Sequence, residues 1–534
     1  MTAAERIEIS GEEAEALLAR VKDVLPDEDY RIIKGLVDTH LLLNQAVSEK
    51  STSIKRLLKM IFGSKTEKVR NGENTTDRKK TDKKKKKAKG HGRNGADNYT
   101  GAETVAVSHQ TLQHCDPCPA CEDGRLYRQP SPGVVVRIKG TAPLWGMVYE
   151  LEKLRCNICG KIFTADLPPE AGTKKYDATA AAMLAVLRYG SGLPLNRLAG
   201  LQAALGIPLA ASTSWEVTEK LADRIHPAFS ELIRQAAQGD IFHNDDTNMK
   251  ILELMAENRN TLPKPSRTGI FTTGILSILN GRRIAIFCTG RKHAGENLAT
   301  ILAKRQHGLD PPIQMCDALS RNTSEDFQTL LANCLTHGRR NFVEVADHFP
   351  DECQYVLETL GEVYHFDAIA AKQGMTPEQR LHFHQDNSGP LMKNLHQWLE
   401  QQFAEKKVEP NSSLGKAINY MLNHWSELTL FLRVEKAPLD NNICERALKM
   451  AISHRKNSLF YKTEHGAYVG DLFMSLIHTC FLGNINPFEY LTALQRNSDD
   501  LFAHPHRWLP WNYKENFSVT EQPHHILAHT VSAR

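Results

Sequence analysis

No stretch of this chain approaches the roughly 20 consecutive apolar residues that a membrane-spanning helix needs, which argues against a helical membrane protein. The N-terminal M-T-A-A-E-R-I-E-I-S carries acids and lacks an apolar core, so a secretory signal is not expected there. Net charge is also scarce, at +4 from 66 basic and 62 acidic residues. The balance is uneven, because residues 78–89 hold nine basic residues and one acid, a local +8 that leaves −4 for the remainder. Cysteine is limited to eleven residues, and their clustering in a chain without a signal favours reduced, metal-binding thiols over disulfides. The expected address is cytoplasmic, in association with a bacterial nucleoid, although a lysine run can also be read as a nuclear signal. What remains is the composition of a soluble globular protein, 41% hydrophobic and 24% charged, with length for about three domains.

The patterning predicts a multidomain α+β chain. Residues 1–64 read as helix, and a seven-residue step through Ile33, His40, Val47, Ile54 and Ile61, with Leu36, Leu43, Lys50 and Leu57 three further on, fits a short coiled coil. An ordinary amphipathic helix has the same stripe. Residues 65–99, with Lys83, Lys84 and Lys85, hold too little apolar surface to fold, and their charge suits phosphate neutralisation. A zinc-ribbon domain is expected over 100–170. A helical, helix-turn-helix-like DNA-binding segment is expected over 171–236, its last helix capped by Ser212 and Thr213. From 237 to 470 strands appear: I-F-H-N-D-D-T-N-M-K-I-L-E-L, G-I-F-T-T-G-I-L-S-I-L and R-R-I-A-I-F-C-T, then a helix and P-I-Q-M-C-D-A-L. Three strands, a helix and a fourth strand match the start of a ribonuclease-H-like α/β fold, with 325–432 helical throughout and 471–534 a C-terminal helical segment and tail.

Two clusters carry chemistry. Cys118-Pro-Ala-Cys121 and Cys156-Asn-Ile-Cys159 each place two thiolates on one turn, and together they complete a closed four-thiolate zinc site with no open position, hence a structural one. Two-metal phosphoryl transfer needs acids that hold Mg²⁺ ions, with Mn²⁺ as a substitute, about 4 Å apart. Asp245 in the first strand, Asp317 at the end of the fourth and Glu445 at a loop-to-helix transition have the right settings.

Several segments are quoted because of what they resemble: F-G-S-K-T-E-K, K-G-H-G-R-N-G, L-R-Y-G-S-G-L-P-L-N-R-L, H-N-D-D-T, N-C-L-T-H-G-R-R-N-F and, above all, L-D-N-N-I-C-E-R-A-L-K-M-A-I-S-H-R-K-N-S-L-F. Through most of its length the chain resembles the insertion-sequence-66 family of bacterial transposases. The resemblance implies a DDE catalytic core with a helical insertion, catalytic and Mg²⁺-binding residues Asp245, Asp317 and Glu445, and a Cys-x-x-His element at Cys334 and His337. That element is either a second metal site or a packed thiol with a capping His. The 128-residue step from Asp317 to Glu445 fits an insertion.

Two departures mark a divergent member. Asp245-Asp246-Thr247 replaces the usual Asp-Glu-Thr, and Ala318-Leu319 replaces a Gly-Tyr pair after the second acid. Successive strand residues face opposite ways, so only one of Asp245 and Asp246 can face the metals, and the alignment favours Asp245. Arg446, Arg455 and Lys456 are candidates to hold the DNA backbone, while Asn441 and Asn442 either shape the loop or contact phosphate. The expected activity is binding of terminal inverted repeats, cleavage to free 3′-hydroxyls and their joining to target DNA. A homodimer or higher oligomer would act, with accessory proteins of the same element as further candidate partners. Nothing resembles a nucleophilic Tyr or Ser site, so no covalent protein–DNA intermediate is expected. The alternatives are a catalytically inactive DNA-binding regulator and a ribonuclease-H-like nuclease acting on other nucleic acids.

Overall fold

The computed structural model describes residues 168–516 apart from 261–266 and 324–325, together with 143–155, 162–166 and scattered earlier positions. The lysine run with Lys83, Lys84 and Lys85, the thiols Cys118, Cys121, Cys156 and Cys159, and all but a few of residues 1–64 lie outside the described residues. The chain divides into two compact units, one comprising 1–68, 174–198 and 210–511, the other 69–173, 199–209 and 512–534. In the second unit Lys153–Arg155 pairs antiparallel with Ile162–Thr164, and Gln202 donates to the Leu144 carbonyl at 2.9 Å.

The first unit is built on a five-stranded sheet: β1 (Ile241–Asn248), β2 (Phe271–Leu279), β3 (Arg282–Gly290), β4 (Ile313–Cys316) and β5 (Leu330–Asn333), in spatial order β3-β2-β1-β4-β5. β1, β2 and β3 are antiparallel, whereas β4 runs parallel to β1 and β5 parallel to β4. Asn280 and Gly281, at φ 50° and 77°, make the two-residue turn between β2 and β3, a backbone that Asn and Gly adopt most readily. This mixed sheet is compatible with the ribonuclease-H-like core expected from the sequence.

The helices in chain order are α1 (Ala178–Ala185), α2 (Leu195–Ala204), α3 (Ala211–Ala236), α4 (Leu252–Asn260), α5 (Ala294–Leu302), α6 (Leu335–Val345), α7 (Pro350–Lys372), α8 (Pro377–Ala404), α9 (Ser413–Asn423), α10 (Trp425–Leu428), α11 (Asn442–Ser458), α12 (Glu464–Leu482), α13 (Pro487–Arg496) and α14 (Ser498–Ala503). Helix α11 lies on the sheet face of His243 and Asp245, where the Cys444 thiol donates to Gly274 O at 3.2 Å. On the opposite face Ser277 donates to Ala236 O at the end of α3, at 2.7 Å. Helices α6 to α10 share a core with the sheet: Leu357, Leu360, Leu395, Leu399, Ile418 and Phe431 join Ile241, Ile313 and Met315. The two ends of this insertion meet, Leu335 N donating to Leu439 O at 3.0 Å.

β3 is an edge strand, and α12 covers it with side-chain acceptors. Ala285 N donates to Thr479 Oγ1 at 3.1 Å, Phe287 N to Ser475 Oγ at 2.9 Å, and Thr289 N to Asp471 Oδ2 at 2.6 Å. The match is metric: four helical residues rise about 6.0 Å and two strand residues about 6.8 Å. Backbone donors that would otherwise invite another strand are thereby satisfied.

Several sequence expectations need correction. The first strand ends at Asn248, and the apolar I-L-E-L that seemed to continue it turns into α4. The stretch from 325 is not helical throughout, because β5 at Leu330–Asn333 completes the sheet before the insertion begins. α3 starts at Ala211, so Ser212 and Thr213 lie inside its first turn and do not cap it. Its buried Leu221, Ile225, Phe229 and Leu232 place it in the core of the first unit. α12 runs through the boundary expected at 470 and belongs to the same unit as the sheet.

Candidate active site

The register of β1 and β4 brings the first two acids together. His243 pairs with Met315, and two residues on, along parallel strands about 4.8 Å apart, Asp245 and Asp317 become neighbours on one face. Asp246 faces the other way. Its carboxylate is 1% exposed and accepts from Thr273 Oγ1 at 2.6 Å and Ala294 N at 3.0 Å, with the His293 ring at 3.1 Å. It therefore caps the start of α5, where helix geometry favours an acid, and has no oxygen to spare for the face of Asp245.

Glu445 comes from the first turn of α11. The helix can approach because β2 carries Gly274 opposite Asp245: a Cβ there would stand 2.9 Å from Leu448 Cδ2. Asn441, fully buried, fixes where α11 starts. Its Nδ2 donates to Asn244 O at 3.1 Å, its Oδ1 meets His243 Nδ1 at 3.2 Å, and its N–H donates to Cys334 Sγ at 3.2 Å. Burial, and secondarily Arg283, lowers the His243 pKa to about 4, so the ring is neutral and donates through Nδ1. Asn442 turns back, its N–H and Nδ2 donating to Asp440 at 3.0 and 2.7 Å. The loop-shaping role thus belongs to Asn441.

Asp317 is held similarly. Asn322 Nδ2 donates to its Oδ1, while the Asn322 carbonyl accepts from Asn244 at 2.8 Å and from Gln314 at 2.7 Å. Asn244 and Asn322 thus link the strand of Asp245 to the loop of Asp317, and Asn441 links the same strand to the helix of Glu445. Local motifs do not reveal this network, because its members lie 78 and 197 residues apart in sequence.

Burial, followed after one backbone hydrogen bond by the charges of Asp317, Asp246 and Glu445, raises the Asp245 pKa to about 7. Basic groups stand beyond Glu445: His337 Nε2 lies 3.8 Å from its Oε1 and Arg340 Nη2 4.0 Å from its Oε2, both presented by α6. Glu445 Oε1 and His337 Nδ1 are buried and have no hydrogen-bond partner among the described residues.

Ligand atoms of Cys334, His337 and Glu445 lie within 4.8 Å of one another. The donor sets differ in chemistry. Burial raises the Cys334 thiol to about pKa 11, and its sulfur already accepts the Asn441 N–H. A neutral thiol in that position suits helix anchoring better than a hard cation. The oxygens of Asp245, Asp317 and Glu445 suit Mg²⁺, and their mutual repulsion is what a divalent ion would relieve.

The basic candidates separate. Arg446 and Lys456 are exposed on α11. Arg455 is turned inward, bonded to Thr247 Oγ1 at 3.1 Å and to the Asn248 carbonyl, which ties the end of β1 to the helix.

Comparison with known proteins gives a consistent result. The sequence pattern described as the transposase IS66 family matches residues 174–469. An uncharacterized protein of Sinorhizobium fredii, y4hP, is 25% identical over 69% of this chain and 68% of its own length. A second from the same organism, y4jD, is 27% identical over 62% of this chain and 65% of its own length. The chain thus spans about two thirds of the length of these relatives.

Proposed function

The chain belongs to the IS66 family of transposases, and we propose that it is a DDE-type DNA phosphoryl transferase that cleaves the ends of its element and joins the freed 3′-hydroxyls to target DNA. What supports this reading is the position of Asp245 on β1 and Asp317 just past the end of the neighbouring parallel strand β4, with Glu445 in the first turn of the helix packed on the same sheet face.

Family membership implies use of divalent metal, and these carboxylates are the residues that would hold it. Bound there, such ions would polarise the attacking oxygen and stabilise the leaving one. The protein's own contribution is geometric. Asn322 and Asn441 set the carboxylates of Asp317 and Glu445 against a rigid sheet, which matters because phosphoryl transfer depends chiefly on positioning and electrostatics. Arg340 flanks Glu445 with positive charge that suits a scissile phosphate, and His337 stands beside it as a ring N–H donor or acceptor.

Terminal repeats, target DNA, a second copy of the chain and accessory proteins of the same element complete the proposed set of partners. A catalytically inactive regulator is not favoured, since all three acids are present. The test is cleavage of the DNA that brackets the gene by the full-length protein in Mg²⁺, read on a denaturing gel. Asp245→Ala and Glu445→Ala should each abolish it while leaving DNA binding in place, and undiminished cleavage by either variant would refute the assignment.

A further inference from the structure

The surface of α11 beyond Glu445 combines exposed lysines with an exposed apolar tip. On a helix turning 100° per residue, Glu445, Lys449, Ile452, Lys456 and Leu459 recur at steps of four and three and form one stripe. The buried side of the helix, Cys444, Ala447, Leu448, Ala451 and His454, points elsewhere. Lys449 and Lys456 are exposed, and neither has an ion-pair partner among the described residues. They follow the candidate third acid along one side of the helix.

The stripe ends in strain. Leu459 has φ 69° and ψ −40°, and Phe460 N donates to Ser458 O at 2.9 Å. That is a γ-turn with a positive-φ leucine at its centre, a conformation strained for a non-glycine residue. It turns two large apolar side chains outward, Leu459 61% and Phe460 40% exposed. The next residue, Tyr461, is 2% exposed and paired with Lys250 and Leu252, so the tip projects from a fixed base. From Glu445 to Leu459 the helix rises about 21 Å, the length of roughly six base pairs of duplex.

We propose that this flank of α11 is a DNA track, with Lys449 and Lys456 on the phosphates of the strand cut at Asp245, Asp317 and Glu445, and Phe460 wedged against an unstacked base about six base pairs away. The inference rests on the transposase reading. The exposed lysines favour DNA as the occupant over a second protein, since past Glu445 the stripe offers cations and no acids. Apolar side chains inserted at a base step and aromatic side chains stacked on a loosened base are the contacts such a tip can make.

The experiment uses the full-length chain and a duplex of about 40 base pairs with a pre-cut 3′-hydroxyl end and one 2-aminopurine, moved in turn through the fourth to eighth pairs. The parent should raise fluorescence at one position near the sixth. Phe460→Ala should remove that rise and weaken binding about tenfold, with the salt dependence unchanged. Phe460→Trp should restore both, which separates stacking from misfolding. Lys449→Gln and Lys456→Gln should each lower the slope of log K against log salt by about one and leave the rise intact. If the parent binds and cleaves but Phe460→Ala gives the same rise and affinity, the track falls alone. If Phe460→Ala instead dissociates a DNA-free oligomer in light scattering, the tip is a protein contact and the inference also falls. A parent that binds no duplex overturns the functional reading and the track together.

Discussion

Asp471→Asn is the most informative single test of how the sheet is held. Asp471 lies in the buried layer between α12 and β3, where burial outweighs its two hydrogen bonds from Thr289 and raises its pKa from 3.8 to about 7. The folded state therefore binds the proton more tightly than the unfolded chain. Its contribution to stability is fully present below about pH 4 and is lost as pH rises toward 7, amounting to about 4 kcal/mol across that window. Asparagine removes the titration and keeps most of the contacts. Its oxygen can accept the Thr289 N–H, and its amide can donate to Thr289 Oγ1, whose own proton can turn to Thr272 Oγ1 at 2.8 Å. Near pH 5, where about 1–2 kcal/mol of that contribution is already lost, the variant's one rearranged hydrogen bond, at about 1 kcal/mol, should leave the two proteins about equally stable. Near pH 8 it should be more stable by about 3 kcal/mol. Guanidinium unfolding followed by circular dichroism measures the difference between the two proteins at each pH, so titrations common to both cancel. A difference that stays constant between those pH values, or grows in the parent's favour, would show that Asp471 does not carry a buried charge there.

Two further expectations separate positioning from chemistry. Gly274→Val drives a side chain into Leu448 and should shift α11, costing about 1–3 kcal/mol of stability; DNA cleavage should fall more than DNA binding, as gel assays on one preparation would show. Asp246→Ala removes the acceptor for Thr273, His293 and Ala294, and should lower stability by about 2 kcal/mol, whereas Asp245→Ala in metal-free protein should not. Equal thermal shifts for the two variants would mean that the division between a capping and a metal-facing acid is wrong.

Much of this site could be read from the chain because its parts are local. Asp245 sits in an uninterrupted strand pattern, Asp317 directly follows four buried residues, and a loop with a proline leads into the helix of Glu445. β5 was hidden because Leu330–Asn333 is four residues long and lies among helical neighbours, too short for alternation to show. The polar face of α12 carries no such signal in sequence. Asp471, Ser475 and Thr479 have the spacing of a solvent-facing stripe, and only the edge of β3 makes them buried acceptors. Asn441 was legible only as a loop-shaping or phosphate-contacting candidate and Asn322 not at all, because their partners are distant in sequence. No helix among the described residues is long and apolar enough to cross a membrane, in keeping with the hydropathy pattern.

The hydrogen bond between Leu335 and Leu439 also bears on how such a chain can change over time. The excursion between them is shut at its neck, beside the Cys334 and Asn441 pair that seats the helix of Glu445. Lengthening a loop that is already closed adds little closure entropy, about 0.6 kcal/mol per doubling. The lobe can therefore be extended, trimmed or exchanged while the acids keep their spacing, provided its replacement still covers Ile241, Ile313 and Met315. It is a cassette hung on a fixed bracket, and variation in this protein should accumulate there before it reaches the sheet.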